Sequence, residues 1–205
     1  MVGFILGHLA GNLLIFAGPG PFNHYAETLQ NLGELLWLAR IVLIIAFVVH
    51  IVTTILIIRE NRAARPDRYK KRGSKADSTF TTRTMIFTGL LVFVFLFIHI
   101  WDFTLPVKEG PGTLIPGLDR DDLHLYGLVW NSFLQPLRAL FYIVTMCCLG
   151  MHLSHGIQSL FQTLGFSHEI YTPRVKKISV CMGIVVAIGF SLIPIYINLV
   201  RVPWL

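Results

Sequence analysis

The sequence predicts an all-α integral membrane protein with five transmembrane helices. Of its 205 residues, 54% are hydrophobic and only 14% are charged, whereas an ordinary soluble domain has about 25% charged residues. A chain this short cannot bury so many apolar side chains in one core, so many of them must face lipid. A bilayer-spanning helix needs about 20 mainly apolar residues. We therefore expect a single membrane domain, residues 1–205, with helices at about 1–17, 35–58, 84–105, 131–164 and 174–200.

The first and fourth predicted helices differ from the others in length. The first is short and begins at residue 1, so we expect either that it extends upstream in the natural protein or that its start is misassigned. The fourth apolar stretch, Tyr126–Leu164, is longer than one span. We place Pro136 in the first turns of this helix, where its missing N–H costs least. The residues before it, Tyr126–Gln135, are expected to lie along the membrane surface.

The basic residues predict the orientation in the membrane. The loop 59–83 has nine Lys or Arg residues against three acids, and the loop 18–34 has none. Because positively charged loops stay in the cytoplasm, we expect loops 59–83 and 165–177 to be cytoplasmic and the C-terminus to lie outside. The chain would be a multi-pass protein of the bacterial cytoplasmic membrane. This topology explains the net charge of +6, and we expect no nucleic-acid binding.

Four histidines lie inside the predicted helices, one on each of the first four: His8, His50, His99 and His152. Ionisable residues inside a bilayer are rare and usually functional. A hydrogen bond between helices would explain any one of them, but it does not explain four on four separate helices. A fifth histidine, His155, lies one turn after His152 and competes with it for the same role.

Depth along the helices sorts these histidines into two pairs. With a rise of 1.5 Å per residue, His50 and His152 lie roughly 13 and 20 Å from the inner boundary. His8 and His99 lie roughly 15 and 10 Å from the outer boundary. We call His8 with His99 the outer pair, and His50 with His152 the inner pair.

Each pair has the ligands that a six-coordinate haem requires, because its iron takes two axial imidazole nitrogens. Imidazole also suits copper and zinc, but zinc or di-iron sites need carboxylates or more histidines at one depth. The sequence has no C-x-x-C-H motif for covalent haem attachment. We therefore predict four helices bundled around two stacked b haems.

Three arginines are candidates for binding the haem propionates. Arg40 and Arg138 lie in the outer halves of the second and fourth predicted helices, where a buried arginine needs an anionic partner. Arg83, at the inner end of the third helix, would serve the inner haem in the same way. The alternative for each is that the side chain reaches to the lipid headgroups.

Five motifs occur in order along nearly the whole chain: HLAGNL at 8–13, GPGPFNHYAETLQ at 18–30, VVHIV at 48–52, FIHIWD at 97–102 and MHLSHGIQSLFQTLG at 151–165. With these motifs the chain resembles the single-chain, five-helix, two-haem cytochrome b subunit of succinate dehydrogenases and fumarate reductases. In that family the four helix histidines ligate two haems, pairing the first helix with the third and the second with the fourth. This agrees with the depth sorting, and the family motif favours His152 over His155.

The resemblance implies a membrane anchor of a succinate:quinone oxidoreductase. The chain would relay electrons between an iron–sulfur subunit and a membrane quinone, with menaquinone the expected species. A flavoprotein subunit carrying FAD would handle succinate and fumarate, so this chain would not bind succinate itself. Membrane lipid is a further expected partner, and an oligomer of the complex is compatible with the sequence.

Quinone reduction takes up two protons with two electrons, so a quinone site needs proton-carrying groups near the electron donor. Asp102 is about one helical turn after His99, and Glu34 begins the second helix at the same boundary. We predict these two acids as proton carriers. A favourable position in the helix dipole is the alternative for Glu34. Trp101 and Trp130 are either interfacial anchors or walls of a quinone pocket.

Two other functions fit the pattern of apolar helices and histidines. One is a di-haem, quinone-reactive cytochrome b subunit of a membrane hydrogenase or formate dehydrogenase, which would have different loop motifs. The other is a transporter with a histidine proton relay, which would have no haem absorption. The remaining histidines, His24, His124 and His168, are predicted to lie in solvated loops.

Overall fold

The computed structural model describes residues 1–64, 80–105, 113–116, 123–166 and 168–201. These residues are almost entirely helical, and no strand occurs among them, so the all-α prediction is confirmed. The helices, in chain order, are α1 Val2–Leu13, a 3₁₀ helix Leu14–Ala17, α2 Pro19–Gln30, α3 Glu34–Ala63, α4 Phe80–Phe103, α5 His124–Leu134, α6 Pro136–Thr163 and α7 Tyr171–Val200.

Four helices in the described part of the chain are long and apolar enough to cross a membrane. Their spans are Glu34–Glu60, Thr84–Phe103, Pro136–Thr163 and Tyr171–Val200. The apolar stretch Val2–Ala17 is shorter. It changes from α to 3₁₀ geometry after Leu13 and ends at Gly18, whose positive φ of 93° ends the helix. The chain is thus a multi-pass membrane protein, and the fifth crossing, at 1–17, stays a prediction.

The region before α6 shows how Pro136 separates two helices. Gln135 is extended, with φ −79° and ψ 110°, as a residue before proline prefers. Pro136 then begins α6, so its predicted place in the first turn is confirmed. The preceding residues form the separate helix α5, so the single helix predicted at 131–164 has the wrong start.

The segment 18–34 was predicted as a loop, but most of it forms α2. Pro19 begins this helix, at a position where a missing N–H removes no helical hydrogen bond. His24 therefore lies on a helix, and His124 is the first residue of α5, so their placement in loops was wrong. His168 does lie between α6 and α7, and it is exposed as predicted.

The described residues form two compact units. The first contains α3 and the end of α2, and the second contains α1, most of α2 and α4–α7. The predicted single membrane domain stays a prediction.

In the second unit, α6 and α7 pack most closely at two glycines. A Cβ atom added to Gly150 would lie 2.5 Å from the carbonyl oxygen of Gly183. Small residues let helix backbones approach in this way inside membranes. On the other side of α7, Leu9 of α1 packs against Gly189, so α7 lies between α1 and α6.

Side-chain amides fasten the short helix α5 to its neighbours. The amide of Asn23 on α2 donates to the carbonyl of Leu123 at 3.1 Å and accepts from the N–H of Tyr126 at 3.0 Å. At the other end of α5, Asn198 of α7 donates to the carbonyl of Phe133. The bonds to the N–H of Tyr126 and to the carbonyl of Phe133 satisfy backbone groups that the two ends of a helix leave unpaired.

Trp130 lies at the centre of this contact. It is fully buried, its ring stacks on Tyr126 at 5.5 Å, and its Nε1 donates to the carbonyl of Arg201 at 3.2 Å. Burial, with Tyr196 nearby, raises the pKa of Tyr126 to about 12, so this phenol stays neutral. Trp130 is therefore a core residue, whereas Trp101 is 72% exposed, as an interfacial anchor would be.

Candidate metal centre

The structure brings the imidazoles of the outer pair together within the second unit. His8 lies on α1 and His99 on α4, and their ring centroids are 5.7 Å apart at an interplanar angle of 84°. The two helices are held by different neighbours, α1 by α7 and α4 by α6. The two imidazoles therefore come from helices that pack on different partners.

Aromatic side chains surround both imidazoles. His8 stacks on Phe4, with centroids 5.3 Å apart, and His99 stacks on Phe95, with centroids 5.4 Å apart. Further rings contact the pair from three other directions: Phe190, Phe103 and Tyr142. Apolar rings of this kind lower the local dielectric, which would tune the redox potential of a metal bound among them.

The ring nitrogens of His8 and His99 are poorly satisfied by hydrogen bonds within the described part of the protein. Nδ1 of His99 is buried and has no hydrogen-bond partner among the described residues. The amide of Asn12 is 3.4 Å from both ring nitrogens of His8, but it donates at 2.8 Å to the backbone carbonyl of the same histidine. A buried polar atom without a partner is destabilising, and coordination to a metal ion removes that cost.

The composition of the site fits a haem better than a metal held only by side chains. No group of three or more His, Cys, Asp or Glu in the described ranges could hold a metal ion, whereas a haem needs only two axial side-chain ligands. The space beside two glycines of α1 near His8 is also open. A Cβ added to Gly3 or Gly7 would have nothing within 4 Å, whereas Gly11 packs on the ring of Tyr25.

Two predicted site residues bind each other beside the outer pair. Nη1 of Arg138 lies 3.4 Å from Oδ1 of Asp102, whose side chain is only 6% exposed. The hydroxyl of Tyr142 donates to Oδ2 of the same carboxylate at 2.8 Å, and its ring centroid is 6.2 Å from that of His99. We call Asp102, Arg138 and Tyr142 the carboxylate cluster.

The sequence did not identify Tyr142 as part of this cluster. Its spacing from Arg138 offered a signal, because residues i and i+4 are neighbours on a helix surface. Asp102, predicted above as a proton carrier, also has a structural explanation for its place in the span. Arg138 balances the charge of Asp102, and the phenol of Tyr142 donates a hydrogen bond to its second oxygen.

His152 of the inner pair lies against α4. Its Nδ1 is 3.3 Å from Oγ1 of Thr88, and a Cβ added to Gly89 would lie 3.1 Å from its Cε1. His50 lies on α3, in the other unit, where its carbonyl accepts from the hydroxyl of Thr54 at 2.7 Å. The pairing of His50 with His152 stays a prediction.

The other predicted site residues lie at the ends of helices. Glu34 is the first residue of α3, as predicted, and is exposed. Further along α3, the guanidinium of Arg40 is 4.9 Å from the ring centroid of Trp37, a cation–π contact. Arg83 belongs to α4, but its side chain lies outside the described residues. The functions assigned to these three stay predictions.

Comparison with known families supports the resemblance in the sequence motifs. The family described as succinate dehydrogenase/fumarate reductase transmembrane subunit matches residues 58–191, more than half of the chain. The matched part includes His99 and His152, while His8 and His50 precede it. Neither a curated protein nor a solved structure matches the chain significantly. The match, with the apolar helices it covers, shows that the chain belongs to the family of succinate dehydrogenase/fumarate reductase transmembrane subunits.

Proposed function

We propose that the chain is the di-haem cytochrome b anchor of a succinate:quinone oxidoreductase, relaying electrons between an iron–sulfur subunit and membrane quinone. The observation that carries this proposal is the meeting of His8 and His99 in an aromatic shell. Family membership supports the place of the chain in the complex. The histidine pair supports the proposed electron transfer, because a six-coordinate b haem takes two imidazoles, and no carboxylate, as its axial ligands.

His8 and His99 would hold the outer haem, and His50 and His152 the inner haem. A bound haem supplies reversible one-electron transfer. The chain orients the imidazoles and excludes water around the outer pair with aromatic rings. Arg138, and likewise Arg40 and Arg83, would bind propionates. A guanidinium has five N–H donors, so the contact of Arg138 with Asp102 leaves donors for a second anion.

Asp102 and Glu34 are the proposed proton carriers of a quinone site near the outer haem, with menaquinone as the expected quinone. Asp102 follows His99 by one turn and is held by Arg138 and Tyr142, so its carboxylate has a fixed position. The partner subunits would carry FAD and the iron–sulfur clusters, and succinate would bind there.

The test of this function is the visible spectrum of the purified complex. We expect a red protein with b-type absorption on reduction and two haems per chain, both of which succinate reduces. A complex lacking the flavoprotein should keep both haems but respond only to a chemical reductant. A complex that copurifies with nickel or molybdenum instead of FAD, or a chain without haem, would contradict the proposal.

The orientation is testable by labelling. Lys70 and Lys71, which lie outside the described residues, belong to the basic loop 59–83 that we expect in the cytoplasm. A membrane-impermeant amine reagent applied to right-side-out spheroplasts should not label them, and lysis should expose them. Lys108 follows the third predicted helix, on the side opposite the basic loops in this topology, so it is the matched control and should be labelled before lysis. The reverse pattern would overturn the orientation and the direction of electron entry.

A further inference from the structure

We propose that Thr88 on α4 is a positioning residue for the inner haem: it accepts the Nδ1–H of His152 and so directs the Nε2 lone pair of that ring to the iron. The inference rests on the proposed function of His152 as a haem ligand. It concerns a residue that is not itself a ligand.

The first step is the hydrogen bonding of the Thr88 hydroxyl. Thr88 is buried, and its Oγ1 lies 3.3 Å from Nδ1 of His152. The same oxygen lies 3.2 Å from the carbonyl oxygen of Thr84 and 3.1 Å from that of Met85. A hydroxyl has one proton, which a threonine inside a membrane helix commonly gives to a preceding carbonyl. A lone pair of Oγ1 is then free to accept a hydrogen bond from the Nδ1–H of the imidazole.

The second step is the tautomer that this bond selects. A neutral imidazole has one N–H and one lone pair, and the bond made by one nitrogen decides which nitrogen can bind a metal. With the proton on Nδ1, Nε2 is the ligand atom. The opposite arrangement, with Thr88 donating to Nδ1, would place the proton on Nε2 and block coordination through that atom.

The third step is the packing of the ring on the next residue of α4. A Cβ on Gly89 would lie 3.1 Å from Cε1 and 3.6 Å from Nδ1 of His152. The missing side chain therefore lets the imidazole lie against the helix backbone. Thr88 fixes the rotation of the ring and Gly89 its distance from α4. Thr88 and Gly89 make these two contacts with His152, and this positioning supports His152 as the ligand.

The experiment compares Thr88→Val with Thr88→Ser in the assembled complex. Valine keeps the shape but removes the acceptor, whereas serine restores it. Outer partners of metal ligands raise ligand basicity, so their loss should raise the midpoint potential of one haem. We expect on the order of a tenfold change in its reduced-to-oxidised ratio, about 59 mV for one electron. Both haems should be retained, and Thr88→Ser should return the potential to that of the unaltered chain.

Two further variants distinguish a wrong ligand assignment from a wrong positioning role. His152→Ala tests the ligand itself, so retention of both haems there would refute the proposed function. If His152→Ala loses one haem but Thr88→Val leaves both potentials unchanged, the positioning role is wrong. If Thr88→Val does not assemble, Gly89→Ala tests the packing of the same imidazole by a second readout. Its added Cβ should alter the low-spin electron paramagnetic resonance signal of the same haem. An unchanged signal would contradict the packing of the His152 ring on Gly89.

Discussion

Replacing either His8 or His99 by alanine is expected to remove one of the two haems, halving the haem content of the complex. Each iron would be held by two ligands from different helices, so the loss of one would leave the haem with a single protein ligand. In the structure the centroids of the two rings lie 5.7 Å apart, which is why either change should remove the same haem. The measurement is haem per chain, with redox titration to identify the haem that remains.

The inner pair supplies the complementary result. His50→Ala and His152→Ala should each remove the other haem and leave the one held by His8 and His99. Since electrons would pass through both haems, all four variants should abolish quinone-linked turnover. His168→Ala is the matched control, because that histidine is exposed and lies between helices. Retention of both haems in any of the four variants would contradict the ligand assignment.

The sequence predicted the features that depend on composition and depth. Membrane helices follow from an excess of apolar residues, and the similar depth of His8 and His99 follows from counting residues at a fixed rise per residue. Neither inference requires knowledge of how the helices are rotated about their axes. The order of the motifs then identified the family, which the comparison confirms over residues 58–191.

What the sequence missed depends on tertiary contacts. The helix α2 was read as a loop because its glycine, prolines and polar residues match no apolar period. Short helices gain most of their stability from packing, and here Asn23 pairs with Leu123 and Tyr126. The carboxylate cluster was missed for a related reason, since it depends on which faces of α4 and α6 meet.

The second large effect that we expect is on quinone turnover. The variants Asp102→Asn and Glu34→Gln test the proposed quinone site. General acid–base groups contribute roughly 10²- to 10⁴-fold to rates, so we expect quinone-linked turnover to fall by about 10²-fold in the Asp102 variant. Succinate oxidation with a soluble dye that takes electrons upstream should persist. Asparagine keeps the size of Asp102 and an acceptor for Tyr142, so both haems should remain bound.

The carboxylate cluster requires a control, because Asp102→Asn also removes the charge that balances Arg138. Tyr142→Phe removes the hydrogen bond to Oδ2 but keeps the ion pair and the carboxylate. If Asp102 carries protons, Tyr142→Phe should retain far more quinone turnover than Asp102→Asn. If Asp102 only joins α4 to α6, both variants should lower the thermal stability of the complex and lose haem together, without a selective loss of quinone turnover. Unchanged quinone turnover in both carboxylate variants, with both haems bound, would exclude Asp102 and Glu34 as the proton carriers.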